Sequence, residues 1–430
     1  MKSKLKLKLD HSASMLLLIF VVLMEANYWV LLQKIVNTNI RTVFWMIATA
    51  LPLLLTGFAI KRSKVILPWL FYLGFILINN QALVRGDYRD TLRLSLCVLM
   101  MFVCLNSPNW IVSAPKVIVG VGIANVFATL IFFVSDGLYQ IYATRILGFY
   151  QSGTNSGQYG YRAALADHYS QNGTYITFVL ITLCAILCCG ALKKRKKNYI
   201  IVLAVLSAVA LMLTAKRAHL MFGTATVILT YYVASSGNKS TRTLRLMIIA
   251  VVALFAFSIC VEYVPQLSAT FERFQSAGED TASTKRFEMW AYAFDMFKEN
   301  PLFGIGWGGF GYRMADTYLA AEAATGAHNN YIQVLCETGL VGFGVFIAAL
   351  GSSLVNTFKN IKAVSKNIAL MKYKYAIAVS FALQVFTLMY AFTGNPMRDR
   401  TFHFYAVAVA INLAFTVYIR KINTKSSGVN

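Results

Sequence analysis

Residues 328–355, HNNYIQVLCETGLVGFGVFIAALGSSLV, pass from a polar loop straight into a long apolar run. At ~1.5 Å per residue such a run crosses a hydrocarbon layer of ~30 Å as a helix. A histidine and an amide, His328 and Asn329, stand at its mouth. A titratable imidazole held at a membrane surface is well placed to take a proton from a hydroxyl there. The bland alternative is an interfacial histidine bonded to a loop carbonyl.

Working outward, similar runs recur along the whole chain. Of its 430 residues 58% are hydrophobic and 13% charged, with a mean hydropathy of +0.59, far from the soluble average. Runs of the roughly 17–25 residues needed for a crossing fall at about 13–32, 41–60, 65–80, 91–107, 116–135, 173–192, 198–214, 218–234, 246–264, 330–355, 375–393 and 403–419. With no water to satisfy open backbone groups, these spans are expected to be helical. The expectation is an all-α polytopic membrane protein of about 12 transmembrane helices with both termini inside. Its segments are helices 1–5 (1–135), an outer loop (136–172), helices 6–9 (173–264), a large outer loop with short helices (265–329), and helices 10–12 (330–430).

The formal charge of +23 invites a nucleic-acid reading, which its placement removes. On the twelve-span topology, 24 of the 40 cations and one acid, Asp10, lie inside, against 16 cations and 14 acids outside. The excess is the positive-inside signal of a membrane protein. The two faces also differ in kind, since 19 of the 24 inner cations are lysine and 12 of the 16 outer ones arginine. Lysine suffices to set topology, whereas the planar guanidinium suits two-point contact with phosphate or carboxylate. An arginine-rich outer face therefore suits a multiply anionic ligand, with ordinary pairing to the outer acids as the alternative. The seven cysteines all fall in spans, without zinc-site spacing, and read as small buried apolar residues.

Two outer loops are long, and long loops in a compact bundle are usually functional. The first carries Arg145 and Arg162. In the second, Ser283 or Thr284 is placed to cap a helix with an aromatic face (Phe287, Trp290, Ala291, Phe294), which Asn300-Pro301 ends. The run Gly304-Ile305-Gly306-Trp307-Gly308-Gly309-Phe310-Gly311 contains a G-x-G-x-x-G spacing without a βαβ context, so a tightly turning re-entrant segment fits it better than dinucleotide binding. Four outer elements converge in this topology: the turn Thr214-Ala215-Lys216-Arg217, Lys285-Arg286, His328-Asn329, and Arg398-Asp399-Arg400. Glu337 lies too far down a straight helix to orient His328, and is expected to pair with a cation from another span.

These residues resemble a known family. His328-Asn329, nine residues, then Gly339-x-x-Gly342 is similar to the signature of the O-antigen ligase and polymerase superfamily. Arg286-x-x-x-Trp290 followed by Asn300-Pro301-Leu302-Phe303-Gly304-Ile305-Gly306 resembles the segment these proteins carry before the histidine. Leu213-Thr214-Ala215-Lys216-Arg217-Ala218 resembles their arginine turn, with lysine in place of the usual hydroxyl residue. The resemblance covers roughly 145–345.

The resemblance implies a GT-C-like glycosyltransferase bundle in the bacterial cytoplasmic (inner) membrane, working on its outer face. The donor would be an oligosaccharide on polyprenyl pyrophosphate, transferred with inversion and without metal or other cofactor to a hydroxyl of an acceptor glycan. His328 would act as base and Arg217 and Arg286 would hold the pyrophosphate. Lys216, Asn329, Arg145, Arg162, Arg398 and Arg400 are further substrate-binding candidates, and Trp290, Trp307, Phe310 and Tyr312 are candidates to stack on sugars. Partners would be the lipid-linked donor and acceptor, the bilayer and a chain-length regulator, and not nucleic acid. A repeat-unit polymerase is the favoured reading, an O-antigen ligase transferring to lipid A-core the alternative. A flippase or transporter for a lipid-linked sugar fits less well, because it calls for charge near the midplane, where polar residues are sparse.

Overall fold

The computed structural model describes residues 11–27, 31, 35, 38–55, 63–146, 160–166, 168–189, 192–235, 238, 240–248, 281–318 and 326–426. Helices follow where the apolar runs predict them: α1 (His11–Ala26), α2 (Thr38–Leu55), α3 (Leu67–Ile78), α4 (Arg89–Val103), α5 (Ala114–Val134), α6 (Tyr169–Cys188), α7 (Lys194–Leu213) and α8 (Arg217–Ala234). After the large loop come α9 (Thr281–Glu299), α10 (Gly309–Tyr318), α11 (Asn330–Lys366), α12 (Lys374–Tyr390) and α13 (Thr401–Ser426). Eleven of the twelve expected spans thus coincide with a helix, and most of the ninth, 246–264, lies outside the described residues. Six of the described helices are long and apolar enough to cross a membrane, and α1, α3 and part of α2 are shorter apolar helices. The chain is an all-α polytopic membrane protein.

Sequence signals explain several helix starts. Pro68 and Pro115 occupy the first turns of α3 and α5, where a missing N–H costs nothing. The Asn329 side chain caps α11 by accepting from Tyr331 and Ile332 N–H at 3.1 and 3.2 Å. His168 caps α6 through its ring nitrogen, which accepts from Ser170 N–H at 3.0 Å. The loop helix α9 begins at Thr281, so Ser283 and Thr284 lie inside it rather than before it, and it ends at Glu299, ahead of Pro301.

The centre of the bundle is α13, with 89% of its apolar window buried, as a helix apolar on all sides must be. It packs on α12 and α4, while α12 also packs on α6, α8 and α11. Buried amides and hydroxyls tie these helices internally. Asn356 Nδ2 donates to Thr416 Oγ1 at 2.9 Å and Gln384 Nε2 to Thr357 Oγ1 at 2.8 Å. Such bonds are the glue available to apolar helices in lipid.

Candidate functional site

At one end of this bundle the starts of α4, α6, α8, α11 and α13 meet the end of α12. Four local structures build a site there, each resting on a residue type noted in the sequence.

The first is the break in α11. Gly339 has φ +60° and ψ −169°, outside the helical region, so the helix stops and restarts. The freed carbonyls of Cys336 and Glu337 accept from Ile305 and Gly306 N–H at 3.1 and 2.9 Å. The freed N–H groups of Leu340 and Val341 donate to Pro301 and Leu302 carbonyls at 2.9 and 3.1 Å. The 300–306 segment therefore plugs the break and satisfies backbone groups that lipid could not. The fit is backbone on backbone, since a Cβ on Gly339 would lie 2.4 Å from the Leu302 carbonyl carbon and one on Gly304 2.4 Å from that of Glu337.

The second is the histidine loop. His328 has φ +52°, a left-handed conformation costly for a residue with a side chain. The Ala327 peptide beside it is clamped from two sides. Its N–H donates to Gln333 Oε1 at 3.0 Å, and its carbonyl accepts from Trp290 Nε1 at 2.8 Å. Trp290 is thus a peg joining α9 to the histidine loop, a task that replaces the sugar-stacking one expected of it. Arg286 lies four residues earlier on the same helical face, and so comes to the imidazole. Burial, then Arg286, then Lys216, draw the His328 pKa down to about 4. The ring is neutral at pH 7 and stands in a positive field.

The third is the turn before α8. Ala215 has φ +55°, a second strained residue in the same site. The turn lays the Lys216 stem along Gly173, where a Cβ would come within 3.3 Å of Lys216 Cγ. It also sets Lys216 Nζ 4.0 Å above the Tyr169 ring. The lysine that departs from the family pattern is therefore directed at the start of α6 and at His328. Arg217 opens α8 beside it. One turn on, His219 Nε2 bonds Thr174 Oγ1 at 2.9 Å.

The fourth is the 391–400 loop. Asn330 N–H donates to the Ala391 carbonyl at 2.8 Å, and Met397 N–H to Asn330 Oδ1 at 3.4 Å, which fastens this loop to the start of α11. Arg398 forms an ion pair with the fully buried Glu337, lies 3.7 Å from Asp90, and stacks 4.3 Å over Trp307. Glu337 also accepts from Gln333 Nε2 at 3.2 Å, and Gln333 holds Ala327. A continuous chain, Arg398–Glu337–Gln333–Ala327, thus runs to the histidine. Glu337 does pair with a cation, but one carried by the 391–400 loop and not by another span as expected.

Between the loop and α6 lies a cavity of about 240 Å³. Arg398 and Arg400 both line it, with Arg93, Tyr390 and the polar start of α6. Tyr390 bonds Ser170 and lies close enough to Arg286 to feel its charge, so the cavity adjoins the histidine's surroundings.

The other candidates are placed less centrally. Arg145 is exposed in the π-helical turn Tyr142–Ile146 and does not line the cavity. Arg162 lies over the Tyr161 ring, and its carbonyl accepts from Asn172 Nδ2 at 2.8 Å. The side-chain oxygen of Asn329 is engaged in the helix cap. Trp307 and Phe310 are fully buried, so they support the site from beneath and offer no sugar a face. Tyr312 carries the Arg85 guanidinium 4.7 Å above its ring. The Lys285 side chain lies outside the described residues. The sequence reading missed Arg93, Gln171, Thr174 and Tyr390. The unusual run of Ser, Gln, Asn, Thr and Tyr at 170–175, opening an apolar span, was the available signal for Gln171 and Thr174, which line the cavity with Ser170 and Tyr175.

Among the described residues no three His, Cys, Asp or Glu side chains gather to share a metal ion. What the site offers a ligand is cationic charge and a neutral imidazole. A comparison with protein families bears on the same region. Residues 202–347 match the O-antigen ligase family model. The match runs from within α7, through the Lys216-Arg217 turn, Arg286 and His328, to just past the Gly339 break, and it shows the resemblance read from the motifs. No curated protein matches the chain.

Proposed function

We propose that this protein is a polysaccharide polymerase of the bacterial inner membrane, working at its outer face. It would transfer an oligosaccharide from polyprenyl pyrophosphate to a hydroxyl of a lipid-linked acceptor glycan. The observation that carries the proposal is the neutral His328 ring set against Arg286 and Lys216 at the mouth of α11. The acceptor oxygen attacks the anomeric carbon and its proton passes to an imidazole nitrogen. The anomeric C–O bond to phosphate breaks, and the lipid pyrophosphate leaves with the bonding electron pair. Arg286, Lys216 and Arg217 stabilise the charge that develops on it. Attack opposite the leaving group inverts the anomeric centre.

The depressed pKa makes the empty site's imidazole a weak base. An arriving pyrophosphate offsets the positive field and raises the ring's basicity when the substrate is present. Two of the three non-glycine residues with positive φ among the described residues, Ala215 and His328, lie in the two turns that would meet this ligand, where backbone strain serves preorganisation.

The ligase reading, transfer of finished polymer to lipid A-core, is favoured by the description of the matching family model. Reconstitution with a purified polyprenyl-pyrophosphate oligosaccharide, followed by product sizing, separates the two. A ladder of repeats on lipid supports the polymerase, a product formed only on added lipid A-core supports the ligase, and no transfer to either sinks both. Activity is expected to survive EDTA, and loss restored by a divalent cation would overturn the metal-free scheme.

A further inference from the structure

The cavity beside Tyr390 differs in electrostatic character from the ground around His328. Its walls carry three guanidiniums, those of Arg93, Arg398 and Arg400, and one carboxylate, Asp399; two further carboxylates behind the walls, Asp90 and Glu337, pair with Arg93 and Arg398. Arg93 Nη1 bonds Asp90 at 2.9 Å. Arg398 pairs with buried Glu337 and with Asp90. Asp399 lies within the field of both Arg93 and Arg400. Burial pushes the Asp399 carboxyl up, while the Thr401 hydrogen bonds and these two arginines draw it back; the Thr401 N–H donates to it at 2.7 Å. Arg400 is also hydrogen-bonded to Gln171.

A pyrophosphate entering here would have to draw Arg398 off Glu337, leaving a carboxylate alone in a fully buried place, which is strongly unfavourable. A sugar hydroxyl makes no such demand. It donates to a carboxylate and accepts from a guanidinium or amide without separating either pair. At about 240 Å³ the cavity is smaller than the ~300–1,000 Å³ of clefts for drug-sized ligands, a size for a sugar ring or two and not for a whole repeat unit.

From this balance we infer that the Arg93–Arg398–Asp399–Arg400 cavity is a subsite for an uncharged sugar residue, separate from the cationic ground that takes the pyrophosphate. The inference rests on the glycosyltransferase reading above. It moves Arg398 and Arg400 from the anion-binding set to the glycan-binding set. The loop that carries both arginines is fastened to α11 at Asn330, two residues from His328, so a sugar held here lies next to the reacting centre.

The test uses the full chain in lipid nanodiscs, applied to an array of uncharged and uronic-acid oligosaccharides. Binding of undecaprenyl pyrophosphate is measured separately. Wild type should retain uncharged glycans in preference to acidic ones. Asp399→Asn should reverse that preference by making the cavity net positive. Gln171→Ala, which leaves every charge in place, should weaken retention of uncharged glycans about fivefold, the worth of one neutral hydrogen bond. Neither change should alter affinity for undecaprenyl pyrophosphate more than about twofold. Thermal unfolding of each variant shows whether it is folded, and Gln171→Ala carries the test if Asp399→Asn is not. Retention of acidic glycans alone, of none, or an equal loss of undecaprenyl pyrophosphate in Gln171→Ala would overturn the subsite. If uncharged glycans bind as described while undecaprenyl pyrophosphate does not bind wild type, the proposed function fails and the subsite stands.

Discussion

At the scale of the residue, His328 combines a left-handed backbone with a lowered pKa, and the two can be separated by substitution. His328→Asn keeps a side chain that tolerates φ > 0 but supplies no base. It should abolish transfer while leaving thermal stability and membrane insertion unchanged. His328→Val should lose activity and also cost roughly 1–2 kcal/mol, because a β-branched side chain resists that conformation. Transfer by either variant at the wild-type rate would exclude the base role. The pKa gives a second check. With the ring neutral above about pH 4, kcat/KM should be flat from pH 5 to 7 on its acid side. Removing the Lys216 charge favours the imidazolium, so the ring protonates at higher pH. In Lys216→Ala the acid limb should therefore move up, toward the ordinary histidine value of about 6.5. An unmoved limb would show that Lys216 does not act on the ring.

At the scale of the element, the broken α11 and the peg from α9 explain why the motifs have their spacing. Gly339→Ala forces a Cβ into the Leu302 carbonyl at a positive φ. It should cost roughly 3 kcal/mol, read as a lower unfolding temperature in detergent. A variant as stable as wild type would mean that the break closes without penalty. Trp290→Phe keeps the ring and loses the 2.8 Å bond to Ala327, worth about 1 kcal/mol. Because Arg286 is positioned through that bond, transfer should fall about tenfold with little change in unfolding temperature, and an equal loss of both would mark Trp290 as packing only. The spacings were visible in the sequence. That Gly339 stops a helix, and that the 300–306 segment supplies the missing hydrogen bonds, was not, because each half of that match lies about 35 residues from the other.

At the scale of the whole molecule, one buried ion pair joins the 391–400 loop to α11. Glu337 is fully enclosed and Arg398 is partly buried. Removing the carboxylate alone, in Glu337→Ala, leaves the arginine short of a partner in a low-dielectric place and should cost ~3–5 kcal/mol. Glu337→Gln combined with Arg398→Gln should recover part of the loss, measured by thermal unfolding as a double-mutant cycle. Strict additivity would show that the two do not act as a unit. The chain Arg398–Glu337–Gln333–Ala327 also predicts that Glu337→Gln lowers kcat more than it raises KM, since it disturbs how His328 is held.

By itself the sequence determined the membrane class, eleven helices that fall where expected, and the motifs around His328. Hydropathy, helix period and residue spacing are local properties of a chain, so they can be read in order. Only the tertiary structure decided where the cations lie. Arg286 and Lys216 come near enough to His328 to lower its pKa, Arg398 and Arg400 line a cavity with Asp399, and Arg145 stays at the surface. An arginine's task depends on the carboxylate that reaches it, and here Glu337 comes to Arg398 from 61 positions away.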